Sequence, residues 1–343
     1  MTKDTSILLI YTGGTIGMIT RPGSSSLIPF NLEEIIEHAP ELKKFGFTIS
    51  GVTFEKPVDS SDINPSTWKQ IAETIGRNYD TYDGFVVLHG TDTMAYSASA
   101  LSFMLENLGK PVIFTGSQLP ISSLRTDAKE NLMSSIEIAA AKLNGKVLVP
   151  EVCIYFEFKL LRGNRTTKIN ADNFNAFHSP NYPPLAESGV HIKYNKEDIR
   201  YPSGNKPFKV HTSLDPGLAV LKIFPGITEQ VVDSFLNIKN LRAVILETFG
   251  AGNAPTEAWF GDKIKSAVQR GLIILNVTQC SQGRVEMGRY ETSRHLVDAG
   301  VISGHDMTSE AAITKLMYIL GQYDSDEKIK LLLNKSLNGE ITV

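Results

Sequence analysis

The first half of the chain alternates short, nearly continuous apolar runs with longer stretches whose apolar residues recur at three- and four-residue spacing. The short runs predict β-strands at Ile7–Tyr11, Phe47–Glu55, Phe85–His89, Val112–Thr115 and Val152–Phe156. The longer stretches predict helices at Asn31–Ala39, Pro65–Tyr79, Thr93–Leu108 and Asp127–Leu143. Strands that are apolar throughout, with helices between them, are typical of a mostly parallel sheet covered on both faces. The pattern therefore predicts an α/β fold.

The pattern weakens between Tyr182 and Leu214, where prolines and a glycine interrupt it, and we expect an irregular connection there. It then resumes, with predicted strands at Ala219–Phe224, Ala243–Thr248 and Ile273–Val277 and predicted helices at Glu229–Phe235, Thr256–Arg270, Thr308–Leu320 and Asp326–Lys335. A single core rarely grows beyond about 250–300 residues, so a chain of 343 residues favours two domains. We predict a larger N-terminal α/β domain at residues 1–190, a linker at 191–213 and a smaller parallel-sheet α/β domain at 214–343.

Composition and charge narrow the range of partners. The chain is 42% hydrophobic and 21% charged, with a net charge of −3 and an isoelectric point near 6.2. This balance gives no global positive field for nucleic acid or an anionic membrane, so the expected partner is a small molecule. The apolar run before Gly13 is too short for a secretion signal, and we expect a cytoplasmic protein. Cys153 and Cys280, which lie in or after apolar runs, are expected to be reduced core thiols.

Candidate chemistry gathers where four predicted strands end. Ligands of open parallel sheets bind outside the carboxyl ends of the strands. Any one of the four segments is explained by ordinary turns and helix caps. Four together, with threonine at positions where a turn does not require it, favour a functional site. The segments are Thr12-Gly13-Gly14-Thr15-Ile16-Gly17, Asp59-Ser60-Ser61-Asp62, Gly90-Thr91-Asp92-Thr93 and Gly116-Ser117-Gln118.

The glycines after the first strand invite comparison with a dinucleotide-binding loop. That fingerprint requires a helix to begin immediately. Here Arg21-Pro22-Gly23 and three serines follow, which are poor helix formers, and no Gly-Lys-Ser/Thr phosphate loop is present in the sequence. The segment Met18–Pro29 is either a lid that closes over a substrate or a plain exposed loop.

Hydroxyls and carboxylates favour hydrolysis by a hydroxyl nucleophile. The seven histidines form no HExxH pair and no cysteine–histidine cluster, so a metal hydrolase is disfavoured and no cofactor is expected. His89, at the end of a buried strand, is more typical of a structural hydrogen-bonding residue than of a base. The sequence has no G-x-S-x-G elbow. What remains is a threonine activated by a neighbouring base, and a lysine can serve when burial keeps it partly neutral.

Five segments together resemble the bacterial-type asparaginases and glutaminase-asparaginases, and more closely their cytoplasmic type I branch. The resemblance covers nearly the whole chain. It implies a flavodoxin-like N-terminal domain, a Rossmann-like C-terminal domain and hydrolysis of L-asparagine to L-aspartate and ammonia. The segments are YTGGTIGM at Tyr11–Met18, DSSD at Asp59–Asp62, HGTDTMAYSASALSFMLENLGKPVIFTGSQLP at His89–Pro120, RGNRTTK at Arg162–Lys168 and GNAP at Gly252–Pro255.

The resemblance also implies the catalytic residues. Thr15 is the expected nucleophile, forming an acyl-enzyme with the β-carbonyl of the substrate. Thr91, Lys168 and Asp92 are expected to form a second set of hydroxyl, base and carboxylate. Only the resemblance selects Lys168, since its basic stretch is otherwise typical of a solvated loop.

Substrate contacts follow from the same resemblance. Ser60, with the backbone of Asp59 and Ser61, is expected to hold the α-carboxylate, and Asp92 the α-ammonium group. Backbone N–H groups near Gly90–Thr91, or after the following strand, are expected to form the oxyanion hole.

One position departs from the family pattern. Many members carry a tyrosine in the lid that helps to activate the first threonine, but Leu27 stands at that place in this chain. A tyrosine from elsewhere, or water, must replace it. The resemblance further implies a homodimer or homotetramer with the site near a subunit boundary, where Asn253 would contribute from the second domain or from a partner chain.

Three alternatives stay open. A dual glutaminase-asparaginase is close in chemistry, since one extra methylene is rejected by only about 1–3 kcal/mol, although the short Ser61 side chain mildly favours asparagine. The asparaginase-like subunit of a tRNA-dependent amidotransferase carries an additional N-terminal domain, whereas the strand signature here begins at residue 6, which favours a free-standing hydrolase. A non-catalytic amino-acid sensor would keep Ser60 and Asp92 but would not need Lys168 or either threonine.

Overall fold

The computed structural model describes residues 5–20, 27–29, 35, 37–204, 206–289 and 291–342. The chain divides into two compact units, Met1–Thr212 and Ser213–Val343. The first predicted helix, Asn31–Ala39, falls largely outside the described residues.

The first unit combines helices with many short strands. Its helices are α1 (Pro65–Asn78), α2 (Met94–Met104) and α3 (Ala128–Ala140). Short 3₁₀ turns lie at Thr15–Gly17, Pro40–Lys44, Ser60–Asp62 and Gly163–Arg165. Its strands, in chain order, are β1 (Ser6–Tyr11), β2 (Met18–Thr20), β3 (Leu27–Pro29), β4 (Thr48–Thr53), β5 (Gly84–Leu88), β6 (Leu105–Glu106), β7 (Val112–Thr115), β8 (Lys142–Leu143), β9 (Lys146–Val147), β10 (Val152–Phe156), β11 (Lys159–Arg162), β12 (Thr167–Lys168), β13 (Phe177–His178), β14 (Ala186–Ser188), β15 (Ile192–Tyr194) and β16 (Lys209–Val210).

An eight-stranded sheet organises this unit, in the order β15-β14-β11-β10-β7-β5-β1-β4. The five strands from β4 to β10 are parallel, and β11, β14 and β15 add antiparallel pairs. Numbered along the chain, the parallel strands follow the order 2-1-3-4-5, which is that of flavodoxin. In this topology the chain runs from β1 to β4 on one side of β1 and later returns to β5 on the other side of β1. The carboxyl ends of β1 and β5 therefore flank the topological switch point, where ligands bind in such folds.

The predicted elements of the parallel region are confirmed within a few residues. Strands β5, β7 and β10 are buried along their whole length, as expected for a sheet covered on both faces. Asn64 caps α1, its side-chain oxygen accepting from the Ser66 N–H at 3.0 Å, and Pro65 occupies the first turn. Helix α2 ends at Met104, before the predicted Leu108, because β6 pairs with β16 instead of continuing the helix.

The prediction of an irregular connection over Tyr182–Leu214 is wrong in part. Strands β14 and β15 lie in that segment and form one edge of the main sheet, and β16 pairs with β6. The three-residue strands are only half-buried, so their sequence lacks the apolar run that marks a central strand.

The second unit contains a parallel four-stranded sheet in the order β17-β18-β19-β20. A core cluster with Leu246, Phe260 and Ile264 packs its helices against the sheet. The predicted strands and helices are again found within a few residues, with α6 and β20 as additions. The elements are β17 (Leu218–Lys222), α4 (Glu229–Leu236), β18 (Ala243–Thr248), α5 (Ala258–Gln269), β19 (Ile273–Thr278), α6 (Glu291–Asp298), β20 (Ile302–Ser303), α7 (Ser309–Gln322) and α8 (Asp326–Leu333).

The two cysteines differ in their surroundings. Cys153 lies in β10 and is buried, and burial raises the pKa of its thiol well above the usual range. Cys280 is exposed, so the expectation that it is a core thiol is wrong, because it follows the carboxyl end of β19 and lies beyond the sheet core. Among the helices in the described parts of the chain, none has both the length and the apolar character needed to cross a bilayer.

Candidate active site

The loops after β1 and β5 meet at the switch point. The backbone N–H and the hydroxyl of Thr12 both donate to the Leu88 carbonyl, each at 3.0 Å. Gly14 has a φ of +89°, and a Cβ atom there would lie 2.4 Å from the backbone nitrogen of Gly90. Only glycine allows this approach. Because Gly14 precedes Thr15 and Gly90 precedes Thr91, the two predicted threonines lie on loops in direct contact.

Thr15 begins a 3₁₀ turn, and the Tyr11 side chain supports this turn through hydrogen bonds. The Tyr11 hydroxyl lies 3.0 Å from the Gly17 carbonyl and 3.4 Å from the Gly14 carbonyl, which it faces as a donor. Burial raises the pKa of Tyr11 well above its usual range, so the hydroxyl keeps its proton. Tyr11 is therefore a support for the Thr15 turn and a poor replacement for the lid tyrosine as a base.

Lys168 connects Thr91 to Asp92. Its Nζ donates to Thr91 Oγ1 at 2.8 Å and to Asp92 Oδ1 at 2.7 Å. The Lys168 side chain is 16% exposed, whereas that of Asp92 is 64% exposed. The amine is thus held inside the site, and the carboxylate reaches its open side. Lys168 lies on β12, which pairs with β13 and brings the amine back to the β5 loop.

Gln118 completes the surroundings of Thr91, although no individual role was predicted for it from the sequence. The Thr91 hydroxyl donates to Gln118 Oε1 at 3.4 Å. Gln118 Nε2 donates to the carbonyls of Asn173 at 2.9 Å and Ala171 at 3.4 Å, so the amide oxygen must face Thr91. The sequence did place Gln118 in the fourth candidate loop. Nothing in the sequence indicated that this side chain would contact residues 171–173.

The Asp59-Ser60-Ser61 loop lies against the Thr91 loop. Buried Ser60 accepts from the Asp92 N–H at 3.3 Å on its hydroxyl, and its carbonyl accepts from the Thr93 hydroxyl at 2.6 Å. Asp59 accepts from the backbone N–H and the hydroxyl of Ser61, at 2.9 and 2.8 Å, and these bonds lower the pKa of its carboxyl group. Asp59 therefore shapes this loop, and the loop is joined to the one that carries Asp92.

His89 is buried behind the site, in agreement with its expected structural role. Its Nδ1 lies 2.7 Å from the Gly90 carbonyl and its Nε2 lies 2.9 Å from the Ser97 hydroxyl. Burial lowers the pKa of His89 to about 4, against the opposing effect of the Gly90 hydrogen bond. The imidazole is therefore neutral over the physiological pH range.

Leu27 and Asn253 were also singled out from the sequence. Leu27 begins β3, which pairs with β2 as an antiparallel hairpin with Leu27 opposite Thr20, while residues 21–26 of the predicted lid lie outside the described residues. Asn253 belongs to the second unit, where its side-chain oxygen accepts from the Thr292 hydroxyl at 2.7 Å.

The arrangement brings the loops of Thr15 and Thr91 together with an amine and a carboxylate at the switch point of a parallel sheet. Within the described ranges, no group of three histidine, cysteine, aspartate or glutamate side chains is placed to hold a metal ion. This combination is typical of α/β enzymes that transfer an acyl group through a side-chain hydroxyl, and Lys168 Nζ lies within hydrogen-bond distance of the Thr91 hydroxyl.

Comparison with known proteins gives the family. "Asparaginase, N-terminal" matches residues 6–200 and "Glutaminase/Asparaginase C-terminal domain" matches residues 218–333. L-asparaginase 1 of Escherichia coli (strain K12) is 46% identical over 342 residues, which cover 98% of each chain. The 60 kDa lysophospholipase of Mus musculus is 42% identical over 367 residues, which cover 100% of this chain and 64% of that protein. The crystal structure of L-asparaginase I from Vibrio cholerae has a TM-score of 0.89 and 44% identity, covering 99% of this chain and 100% of that one.

The chain belongs to the asparaginase family, and it is an amide hydrolase.

Proposed function

We propose that this protein hydrolyses L-asparagine to L-aspartate and ammonia, with Thr15 as the nucleophile. The observation that supports this most is the position of Lys168, whose amine lies within 2.8 Å of the Thr91 hydroxyl and 2.7 Å of the Asp92 carboxylate. Thr91 and Asp92 lie on the loop next to that of Thr15, and Lys168 on β12 supplies the amine that accepts a proton.

The first half of the reaction forms an ester. The Thr15 oxygen attacks the β-carbonyl carbon, and the Thr15 proton passes to a base. The tetrahedral intermediate then expels its nitrogen, which leaves as ammonia after gaining a proton. The C–N bond breaks and the C–O bond to Thr15 forms, so an aspartyl ester remains on the enzyme.

The second half returns the enzyme to its starting state. Water attacks the ester carbonyl, and in this proposal Thr91 with Lys168 takes up the proton of that water. The bond to Thr15 breaks, its oxygen regains a proton, and aspartate leaves. General acid–base assistance of this kind typically contributes about 10²–10⁴-fold in rate.

The charged groups of the substrate find complementary partners in this site. Asp92 presents an exposed carboxylate for the α-ammonium group. The Asp59-Ser60-Ser61 loop, held against the Asp92 backbone through Ser60, offers hydroxyl and backbone donors for the α-carboxylate. A substrate that carries both charges on one carbon is thus bound through two neighbouring loops.

Steady-state assays of purified protein test this proposal directly. Ammonia release should be saturable with L-asparagine and undetectable with D-asparagine. L-Glutamine tests the dual-specificity alternative, and a lysophospholipid tests the activity named in the mouse relative. Binding of asparagine without ammonia release would instead support a sensor, and faster turnover of glutamine would reverse the proposed specificity.

We also propose that the protein acts as a homo-oligomer in the cytoplasm. Leu119, Leu124 and Ile169 are exposed apolar side chains on the loops that carry Gln118 and Lys168. Exposed apolar surface of this kind, near polar groups, is typical of association sites. Light scattering after size exclusion should give a multiple of the chain mass of 37.7 kDa, and Leu124→Asp should reduce it if this surface is the interface.

A further inference from the structure

A directional hydrogen-bond chain lies behind the active site. The Trp68 indole N–H donates to the Ser97 hydroxyl at 2.9 Å, and Ser97 is 2.9 Å from His89 Nε2. His89 Nδ1 is 2.7 Å from the carbonyl oxygen of Gly90. Trp68, Ser97 and His89 are all buried. These hydrogen bonds therefore connect α1 through α2 to the loop that carries Thr91.

The chemistry of the partners fixes the direction of every bond. A carbonyl oxygen can only accept, so His89 Nδ1 carries the proton and donates to Gly90. A neutral imidazole has one N–H, which makes Nε2 the acceptor of the Ser97 hydroxyl proton. An indole N–H can only donate, so Ser97 accepts from Trp68 while it donates to His89. Each group then uses its hydrogen-bonding capacity without conflict.

This chain determines the orientation of the peptide between Gly90 and Thr91. The peptide is trans, as no cis bond occurs in the described residues, and in a trans peptide the C=O and N–H vectors point in opposite directions. Because the Gly90 carbonyl points at the His89 ring, the Thr91 N–H points away from it. Gly90 also borders the loops that carry Ser60 and Thr15, since a Cβ atom on it would lie 2.5 Å from Ser60 Oγ and 3.4 Å from Gly14 Cα.

We propose that His89 is a positioning residue for the reaction, holding the Gly90 carbonyl so that the Thr91 N–H is aimed at the carbonyl oxygen of the substrate. The N–H would then stabilise the oxyanion that forms when Thr15 attacks. This rests on the proposed function, since it needs a tetrahedral intermediate at this site. A fixed backbone donor of this kind acts in the transition state and changes substrate binding little.

Two near-isosteric variants separate this role from simple core packing. His89→Asn places an amide N–H close to the position of Nδ1, so it can still donate to the Gly90 carbonyl. His89→Gln places its amide near Nε2, where it faces Ser97 and not Gly90. His89→Leu removes both bonds. The three variants, with the parent, are assayed for kcat and KM with L-asparagine over a range of pH.

We expect His89→Leu and His89→Gln to lower kcat by about 10- to 100-fold with KM within about threefold, because deletion of an oxyanion donor typically costs about 10²–10³ in kcat. His89→Asn should recover most of that loss. The shape of the pH profile above pH 5 should match the parent in every variant. Equal kcat values for the Asn and Gln variants, or a parent-like kcat for the Leu variant, would overturn the proposal. So would a pH profile that changes shape, since His89 would then be exchanging protons.

Folding and the proposed function are checked separately. Far-UV circular dichroism and unfolding temperature identify any variant that fails to fold. In that case Ser97→Ala replaces it: loss of the Ser97 hydroxyl should lower kcat several-fold at unchanged KM, and an unchanged kcat would contradict the role of the chain. If the parent protein itself releases no ammonia from asparagine, the proposed function fails, whereas an active parent with parent-like variants contradicts only the role of His89.

Discussion

Thr15 and Thr91 follow neighbouring strands of one sheet, yet their surroundings differ. The Thr91 hydroxyl is hydrogen-bonded to Lys168 and Gln118, and the Asp92 N–H on the same loop donates to Ser60. Thr15 lies on a three-residue 3₁₀ turn braced by one hydroxyl, that of Tyr11. Both threonines are partly buried, and a hydroxyl held in a network such as that of Thr91 suits proton transfer. The difference supports a division of labour between the two loops.

The strongest test of that division is Thr15→Ala beside Thr91→Val. We expect Thr15→Ala to lower kcat by about 10⁴-fold or more, because no other hydroxyl takes over the covalent step. Calorimetry should show aspartate binding within about threefold of the parent. Thr91→Val should leave a slow ester intermediate that mass spectrometry detects on the intact protein. A Thr15→Ala enzyme within tenfold of the parent would transfer the nucleophile role to Thr91.

Replacement of the amine should have the next largest effect. Lys168→Met is expected to lower kcat by about 10²–10⁴-fold and to alter the pH dependence of the rate, since the proton acceptor next to Thr91 is lost. Lys168→Arg is the matched control, because it keeps the positive charge but cannot deprotonate. If the arginine variant works as well as the parent, the charge alone matters and Lys168 is not a base.

The hydrogen bond from Tyr11 that supports the Thr15 turn can be removed without changing any of the proposed catalytic residues. Tyr11→Phe keeps the ring that packs on Gly17 and removes the hydroxyl that donates to the Gly17 carbonyl. We expect the free energy of unfolding to fall by about 1 kcal/mol, measured by urea titration, with kcat reduced several-fold. A substantially larger loss of kcat at unchanged stability would indicate that the Tyr11 hydroxyl takes part in the chemistry.

The last test measures stability instead of rate and concerns His89, which supports the Thr91 loop. Its pKa is about 4 in the folded protein and 6.5 as the reference value. Between these values the unfolded chain binds a proton that the folded protein does not, so the free energy of unfolding should fall as pH decreases from 6.5 to about 4. His89→Asn should flatten this part of the curve. His178→Asn, at an exposed histidine, is the matched control for the substitution itself.

The sequence predicted the parallel core well because each of those strands is a continuous apolar run. β7 and β10 were predicted with the bounds that the structure shows. The hairpin from β10 to β11 was missed because its turn residues, Glu157 and Phe158, adopt positive φ without the glycine or asparagine that usually marks such a turn. Edge strands such as β15 were missed since one buried face leaves too few apolar residues to detect.

The parts of the site that directly follow core strands could be predicted from the sequence, and the parts that come from distant segments could not. The loops that carry Thr15, Ser60 and Thr91 follow strands, so their meeting at one sheet edge could be inferred from the topology. Lys168 could not be chosen by that reasoning, because a short strand pair brings it back to residues 91 and 92 from 76 or more positions away. Only the family resemblance selected it.

The contact between Gly14 and Gly90 sets a limit on redesign. A methyl group on either residue would overlap backbone or Ser60 atoms, at 2.4 Å for the first and 2.5 Å for the second. The separation of the two hydroxyl-bearing loops is therefore a property of the main chain, which side-chain adjustment cannot compensate. Attempts to widen the pocket for a longer amide have to start from exposed residues such as Ser61, with loss of its hydroxyl bond to Asp59, and must leave this pair of glycines untouched.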